Sequence, residues 1–155
     1  VAPEEWEQKI DDCCKSMAQQ VAIAKEYDVD LCIELHVNSP VEKVEQAKYL
    51  LEHTPGLKVA FDPSHFYMQG YRYDDIEWIL DHAGYVHMRD ADDGKMQVPF
   101  EEGEVEFDKI LYRLREIGYT GDFAIEFMQD EEHNYDEDAL KMRDKILEYF
   151  PMAKI

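Results

Sequence analysis

The chain has 155 residues, 45% of them hydrophobic and 12% aromatic, a composition that fits one folded domain and excludes a disordered chain. Its 36 acidic residues against 16 basic ones give a formal charge of −20, a field that repels phosphate backbones, so no nucleic-acid partner is expected. No apolar run reaches the roughly 20 residues that span a bilayer, and no signal-peptide pattern opens the chain, so no membrane partner is expected either.

Trp6, Ile10, Cys13 or Cys14, Met17, Val21 and Ala24 recur at three- and four-residue steps and predict an opening helix. Residues 28–30 break it, and 31–35 predict the first strand. Ser39-Pro40-Val41-Glu42 reads as a helix start, with Ser39 as cap, Pro40 at the first helical position and Glu42 completing a capping box. Val44, Ala47 and Leu51 give that helix its apolar stripe. After the Pro55-Gly56 turn, residues 57–61 predict the second strand. Asp74 or Asp75 starts a helix carrying Ile76, Ile79, Leu80 and Ala83, ended by Gly84, and 85–88 follow as the third strand. A polar loop from Asp90 to about Gly103, holding Lys95 and Gln97, has the length and polarity of an active-site lid. Phe107, Ile110, Leu111, Leu114 and Ile117 make the next helix, stopped by Gly118. The fourth strand is 123–127, and the last helix runs from about Asp136 to Phe150, closed by Pro151. The order α-βα-βα-βα-βα implies an α/β fold, a parallel sheet with right-handed crossovers and strands that are apolar on both faces. The three cysteines read as reduced, buried thiols of a cytoplasmic protein.

Four side chains with ligand chemistry stand in separate apolar runs: Glu34 in LCIEL, Asp62 in VAFDPSH, His87 in YVHMRD and Glu126 in FAIEF. Parallel βα proteins gather their functional groups at the C-terminal ends of strands, so the four are expected to converge. Three carboxylates and one imidazole around a point make a divalent-metal site. Glu34 and Glu126, from the first and last strands, are also the candidate catalytic bases; structural ion pairs are the alternative for both. Pro63 biases Asp62 to the extended backbone of a strand end, where a plain turn aspartate is the competing reading. His87 between Val86 and Met88 is a metal imidazole or a satisfied core histidine. His36, two residues beyond Glu34 and on its face, is a substrate contact. His65 suits a substrate hydroxyl, a second metal or a loop hydrogen bond. Arg89 suits a substrate oxygen or a ligand carboxylate, and Asp90 a group that orients the site. Phe66, Tyr67, Tyr71 and Tyr73 either line a sugar pocket or pack on one another.

IELH (33–36), FDPSHF (61–66), VHMRDA (86–91) and GEVEF…LREIGYTGDFAIE (103–126), in this order, resemble the C-terminal half of the xylose isomerase-like TIM-barrel superfamily, the sugar phosphate isomerase/epimerase group. The resemblance implies the second (βα)4 half of a TIM barrel, with Glu34, Asp62, His87 and Glu126 as ligands of one divalent ion (Mn, Mg, Co or Zn). It implies a sugar or sugar phosphate substrate and proton transfer through a metal-stabilised enediolate. Keto-sugar lyases and dehydratases of the superfamily extend that chemistry to elimination. Endonuclease IV shares the fold but grips phosphates with more ligands and basic residues than this chain has. Asp93 stands where ketose epimerases of the superfamily carry an arginine. A complete barrel takes about 250 residues and eight strands. The expected assembly is therefore a homo-oligomer, a dimer closing the barrel; a truncated or non-catalytic half-barrel subunit is the alternative.

Overall fold

The structure, a computed structural model, describes residues 3–129, 131 and 133–153. The apolar stripe of the opening segment forms α1 (Pro3–Glu26), with Ile10, Cys14 and Val21 buried. Four short strands follow, β1 (Cys32–Glu34), β2 (Lys58–Phe61), β3 (Ala83–Met88) and β4 (Phe123–Ile125). They pair side by side in chain order, and every pair is parallel. Helix α2 (Val44–His53) links β1 to β2, and α5 (Phe107–Glu116) links β3 to β4. Between β2 and β3 lie two single turns, α3 (Ser64–Tyr67) and α4 (Tyr73–Ile76), and a 3-10 helix, Glu77–His82. Helix α6 (Asp136–Tyr149) follows β4.

The core lies on one side of the sheet. Val59, Phe61, Val86, Met88 and Phe123 are buried there with Leu50, Leu51, Ile79, Leu80, Ile110, Leu111, Leu114 and Ile146 from the helical layer. Each such side chain contributes about 1.5–3 kcal/mol of hydrophobic burial. The other side of the sheet differs from the expectation of strands apolar on both faces. Glu34, Ala60, Tyr85, His87 and Ala124 stand on it and stay half-buried, because no second layer covers them among the described residues. Alternation along β3 separates the layers: Val86 and Met88 enter the core, Tyr85 and His87 face away.

Two helix starts differ from the sequence reading. The segment Ser39–Glu42 forms turns rather than a first helical turn, with Ser39 Oγ accepting from Val41 N–H and Glu42 Oε2 from Asn38 N–H. Helix α2 begins at Val44, capped by Lys43, whose N–H donates to the side chain of Gln46. The helix expected to run to Gly84 is α4 followed by 3-10 turns, and Gly84 lies inside β3. A side chain there would stand 2.6 Å from Cys32 Sγ and 2.9 Å from Lys58 Cδ, so Gly84 serves close strand approach rather than helix termination. Gly118, by contrast, ends α5 with φ +72°, as read from the sequence. The aromatic segment after β2 packs inward: Phe66, Tyr67 and Tyr73 are buried, and Phe66 meets Tyr71 edge-on with centroids 6.1 Å apart. The three cysteines are free, Cys14 buried and Cys13 and Cys32 half-buried. No helix among the described residues is long and apolar enough to cross a membrane.

Candidate metal centre

Parallel pairing in chain order brings the C-terminal ends of the four strands to one rim of the sheet. Glu34 closes β1, His87 lies near the end of β3, and Asp62 and Glu126 follow the last residues of β2 and β4. The ladder continues to Glu126, whose N–H donates to Met88 C=O at 3.1 Å. Register puts the four on one face: Glu34 pairs with Ala60, two residues before Asp62, and His87 with Ala124, two residues before Glu126. One ligand atom from each of Glu34, Asp62, His87 and Glu126 lies within 4.8 Å of the others.

Electrostatically the group is unbalanced in a way that suits a cation. His87 Nδ1 sits 3.2 Å from Glu34 Oε1 and 2.8 Å from Glu126 Oε2, and one ring nitrogen cannot donate fully to both. Glu126 Oε2 is buried and lacks a hydrogen bond. Asp62, whose side chain is fully buried, has one cationic partner: Arg89 Nη2 donates to its Oδ2 at 2.5 Å, while Arg89 Nε donates to Ser64 Oγ at 3.1 Å. The other carboxylate oxygen of Asp62 accepts from Ser64 N–H at 2.8 Å. Three carboxylates and an imidazole therefore meet with one guanidinium to offset them, and a divalent ion fits that donor set. Glu34 and Glu126 are partly exposed, at 30% and 43% of the side chain, so solvent reaches the rim.

Beside this group, His65 is 1% exposed and neither ring nitrogen has a hydrogen-bond partner. Its Nε2 is 3.5 Å from Glu34 Oε1 and 3.7 Å from Asp62 Oδ2. Burial pushes its pKa below the usual imidazole value, against the opposing pull of the Asp62 carboxylate. An unpaired buried polar group of this kind costs about 1–3 kcal/mol. His36, exposed, packs against it with ring centroids 4.1 Å apart and has Nδ1 2.6 Å from Val37 C=O. Arg89, named from the sequence as a substrate or carboxylate contact, is buried and holds Asp62 and Ser64.

Asp90 does not orient the cluster. It points into the loop that follows β3, where Oδ1 accepts from Ala91 N–H and Oδ2 from Glu101 and Gly103 N–H at 2.9 and 3.2 Å. Burial raises its pKa despite these three donors. That loop is tied to the segment after β4 by Gln97. The Gln97 side-chain amide donates to Met128 C=O at 2.7 Å and accepts from Met128 N–H at 2.8 Å, two residues beyond Glu126. Nothing in a lone glutamine of a polar loop signals such a clasp. Ser64 as the partner of Arg89 was equally silent in the sequence, since that contact needs the ends of β2 and β3 side by side.

The sequence profile of the xylose isomerase-like TIM barrel matches residues 2–145. Among solved structures, a D-tagatose 3-epimerase-like protein superposes with a TM-score of 0.69 at 23% identity, over 92% of this chain and 55% of its own. An L-ribulose 3-epimerase gives 0.71 at 16% identity, over 97% and 57%. A xylose isomerase-like TIM barrel protein from Mycobacterium smegmatis in complex with magnesium gives 0.70 at 16% identity, over 96% and 51%. These likenesses show a shared fold, a partial TIM barrel, and the chain spans a little over half the length of the structures it matches. No curated protein matches it.

Proposed function

The chain belongs to the xylose isomerase-like TIM-barrel family, and from that premise we propose that it serves a divalent-metal-dependent sugar or sugar phosphate isomerase or epimerase. The observation that carries the reading is the gathering of the Glu34, Asp62, His87 and Glu126 donor atoms within 4.8 Å at the strand ends. Sugar epimerases and a magnesium complex among the solved structures of the same fold support it. These four residues would hold the ion, and their oxygen-rich set suits Mn, Mg, Co or Zn. A bound divalent ion supplies Lewis-acid polarisation of sugar carbonyl and hydroxyl oxygens.

The chain's own residues supply the proton chemistry. Glu34 and Glu126 come from the two edges of the sheet, so their carboxylates flank the space between them. One removes the proton from the carbon beside the carbonyl and leaves the sugar as an enediolate. Return of a proton from the opposite carboxylate to the other face inverts that carbon. Return to the neighbouring carbon exchanges aldose and ketose. Arg89 holds Asp62 in place, while His36 and His65 flank the β1 side where sugar hydroxyls would lie.

The test is exchange of the substrate's α-proton with deuterated solvent, followed by NMR over a set of free and phosphorylated ketoses. Glu34→Gln and Glu126→Gln are each expected to slow exchange by at least about 10²-fold. Full exchange in either variant defeats the reading. A second reading rests on the share of a complete barrel that the chain spans: it binds the ion, and turnover needs sugar contacts from four further strands. We assign those strands to a second copy of the chain, closing a two-fold barrel.

A further inference from the structure

We propose that Gln97 is a positioning residue for Glu126, fixing the backbone from which that carboxylate reaches the rim. The inference rests on the metal reading above, because it takes Glu126 as a ligand of the ion.

Glu126 depends on its main chain more than Asp62 does. The Asp62 carboxylate is held by Ser64 N–H at 2.8 Å and by the Arg89 guanidinium. Glu126 Oε2 lacks a hydrogen bond and stands 2.8 Å from His87 Nδ1, on a side chain that is 43% exposed. Its place follows from the backbone that carries it, yet β4 ends one residue earlier, at Ile125. Glu126 N–H still joins the ladder, donating to Met88 C=O at 3.1 Å. Two residues on, a strand neighbour would supply the next pair of bonds. The Gln97 amide supplies both instead, donating to Met128 C=O at 2.7 Å and accepting from Met128 N–H at 2.8 Å.

A side chain imposes a position only from a fixed base. On one side of Gln97, Val98 N–H donates to Asp90 C=O at 3.0 Å, and Val98 and Phe100 are buried. On the other, Asp92 N–H donates to Lys95 C=O at 3.0 Å and Gly94 N–H to Met68 C=O at 2.9 Å. Tyr135, just ahead of α6, also holds the segment after β4. Its ring stacks on Phe127 with centroids 5.3 Å apart, and its N–H donates to Gln129 Oε1 at 3.2 Å. Those contacts tie the segment forward to α6. Gln97 ties it sideways to the loop that continues β3, the strand of His87, and so sets Glu126 against its partner ligand.

Manganese binding by the full chain, read from the EPR signal of the free ion, tests this in the wild type, Gln97→Met, Glu126→Gln and the paired variant. Gln97→Met keeps an unbranched side chain of similar length and removes both hydrogen-bonding groups. It is expected to raise the dissociation constant about fivefold, the effect of losing two exposed hydrogen bonds. In the Glu126→Gln background the same change is expected to leave the constant where it was. Equal loss in both backgrounds overturns the proposal, since Gln97 then acts on the rim as a whole. Unchanged binding in Gln97→Met also overturns it and leaves the metal reading standing. A wild type that binds no manganese overturns both together. Hydrogen exchange at the Glu126 amide of the metal-free chain reads the same link without the ion. A rise of about fivefold in Gln97→Met is expected there, and an unchanged rate overturns the proposal even where the paired variant binds too weakly to measure.

Discussion

At the scale of single residues, the ion pair between Arg89 and Asp62 decides most. Both side chains are almost wholly buried, and the guanidinium also engages Ser64. Removing one member of a buried pair leaves the other charge without compensation. Arg89→Met is therefore expected to destabilise the metal-free protein by about 3–5 kcal/mol in chemical denaturation. Saturating manganese should recover part of that loss, because the ion supplies positive charge to the same carboxylate. Equal loss with and without metal would show that Asp62 does not see the ion. Gly103 is a second such position: a Cβ there would stand 2.1 Å from Asp90 Oδ1 and 2.5 Å from Ala91 C=O. The four strand-end side chains were legible in the sequence because each sits in its own apolar run. That Arg89 pairs with a carboxylate of this group was one of its two readings; that the partner is Asp62, and that the rings of His36 and His65 meet at a tilt, were not legible, since both depend on how neighbouring strand ends abut.

Among the elements, the loop after β3 carries most of the unforeseen order. Its length marked it as a lid, yet it is pinned by the Asp90 carboxylate at one end and clasped to the segment after β4 by Gln97. The clasp reproduces with one side chain the paired N–H and C=O bonds of a strand neighbour, just where β4, only three residues long, stops. Gln97→Ala is expected to raise hydrogen exchange at Met128 roughly tenfold, the effect of losing two exposed hydrogen bonds. Unchanged exchange there would mean that other contacts hold the segment. The helices read from apolar periodicity, α1, α2 and α5, all formed, as did α6, while the boundaries read from Ser39 and Gly84 moved and the one read from Gly118 held. The Ser39 motif satisfied its groups within a turn, and Gly84 was needed between strands.

On the scale of the whole molecule, the unequal faces of the sheet matter most. One carries the core, and the other leaves Ala60, Tyr85 and Ala124 half-exposed beside two sheet edges, β1 and β4, that have no neighbour among the described residues. Parallel sheets are normally covered on both sides, so association is expected. Sedimentation should give twice the 18.3 kDa chain mass. Because each copy carries a formal charge of −20, association should tighten as salt screens the repulsion. A monomer that unfolds cooperatively at all salt concentrations would remove the dimer from the proposal. The α/β order and the gathering of four strand-end side chains at one rim were legible from the alternation of apolar runs and helical stripes. The bare inner face was not, since alternation along a strand does not reveal what lies opposite it. The guanidinium fastened to Asp62 has one more consequence: it tempers the crowding of like charges while no cation is present. Under the proposed reading, the four side chains would therefore keep their arrangement between the loss of one ion and the arrival of the next.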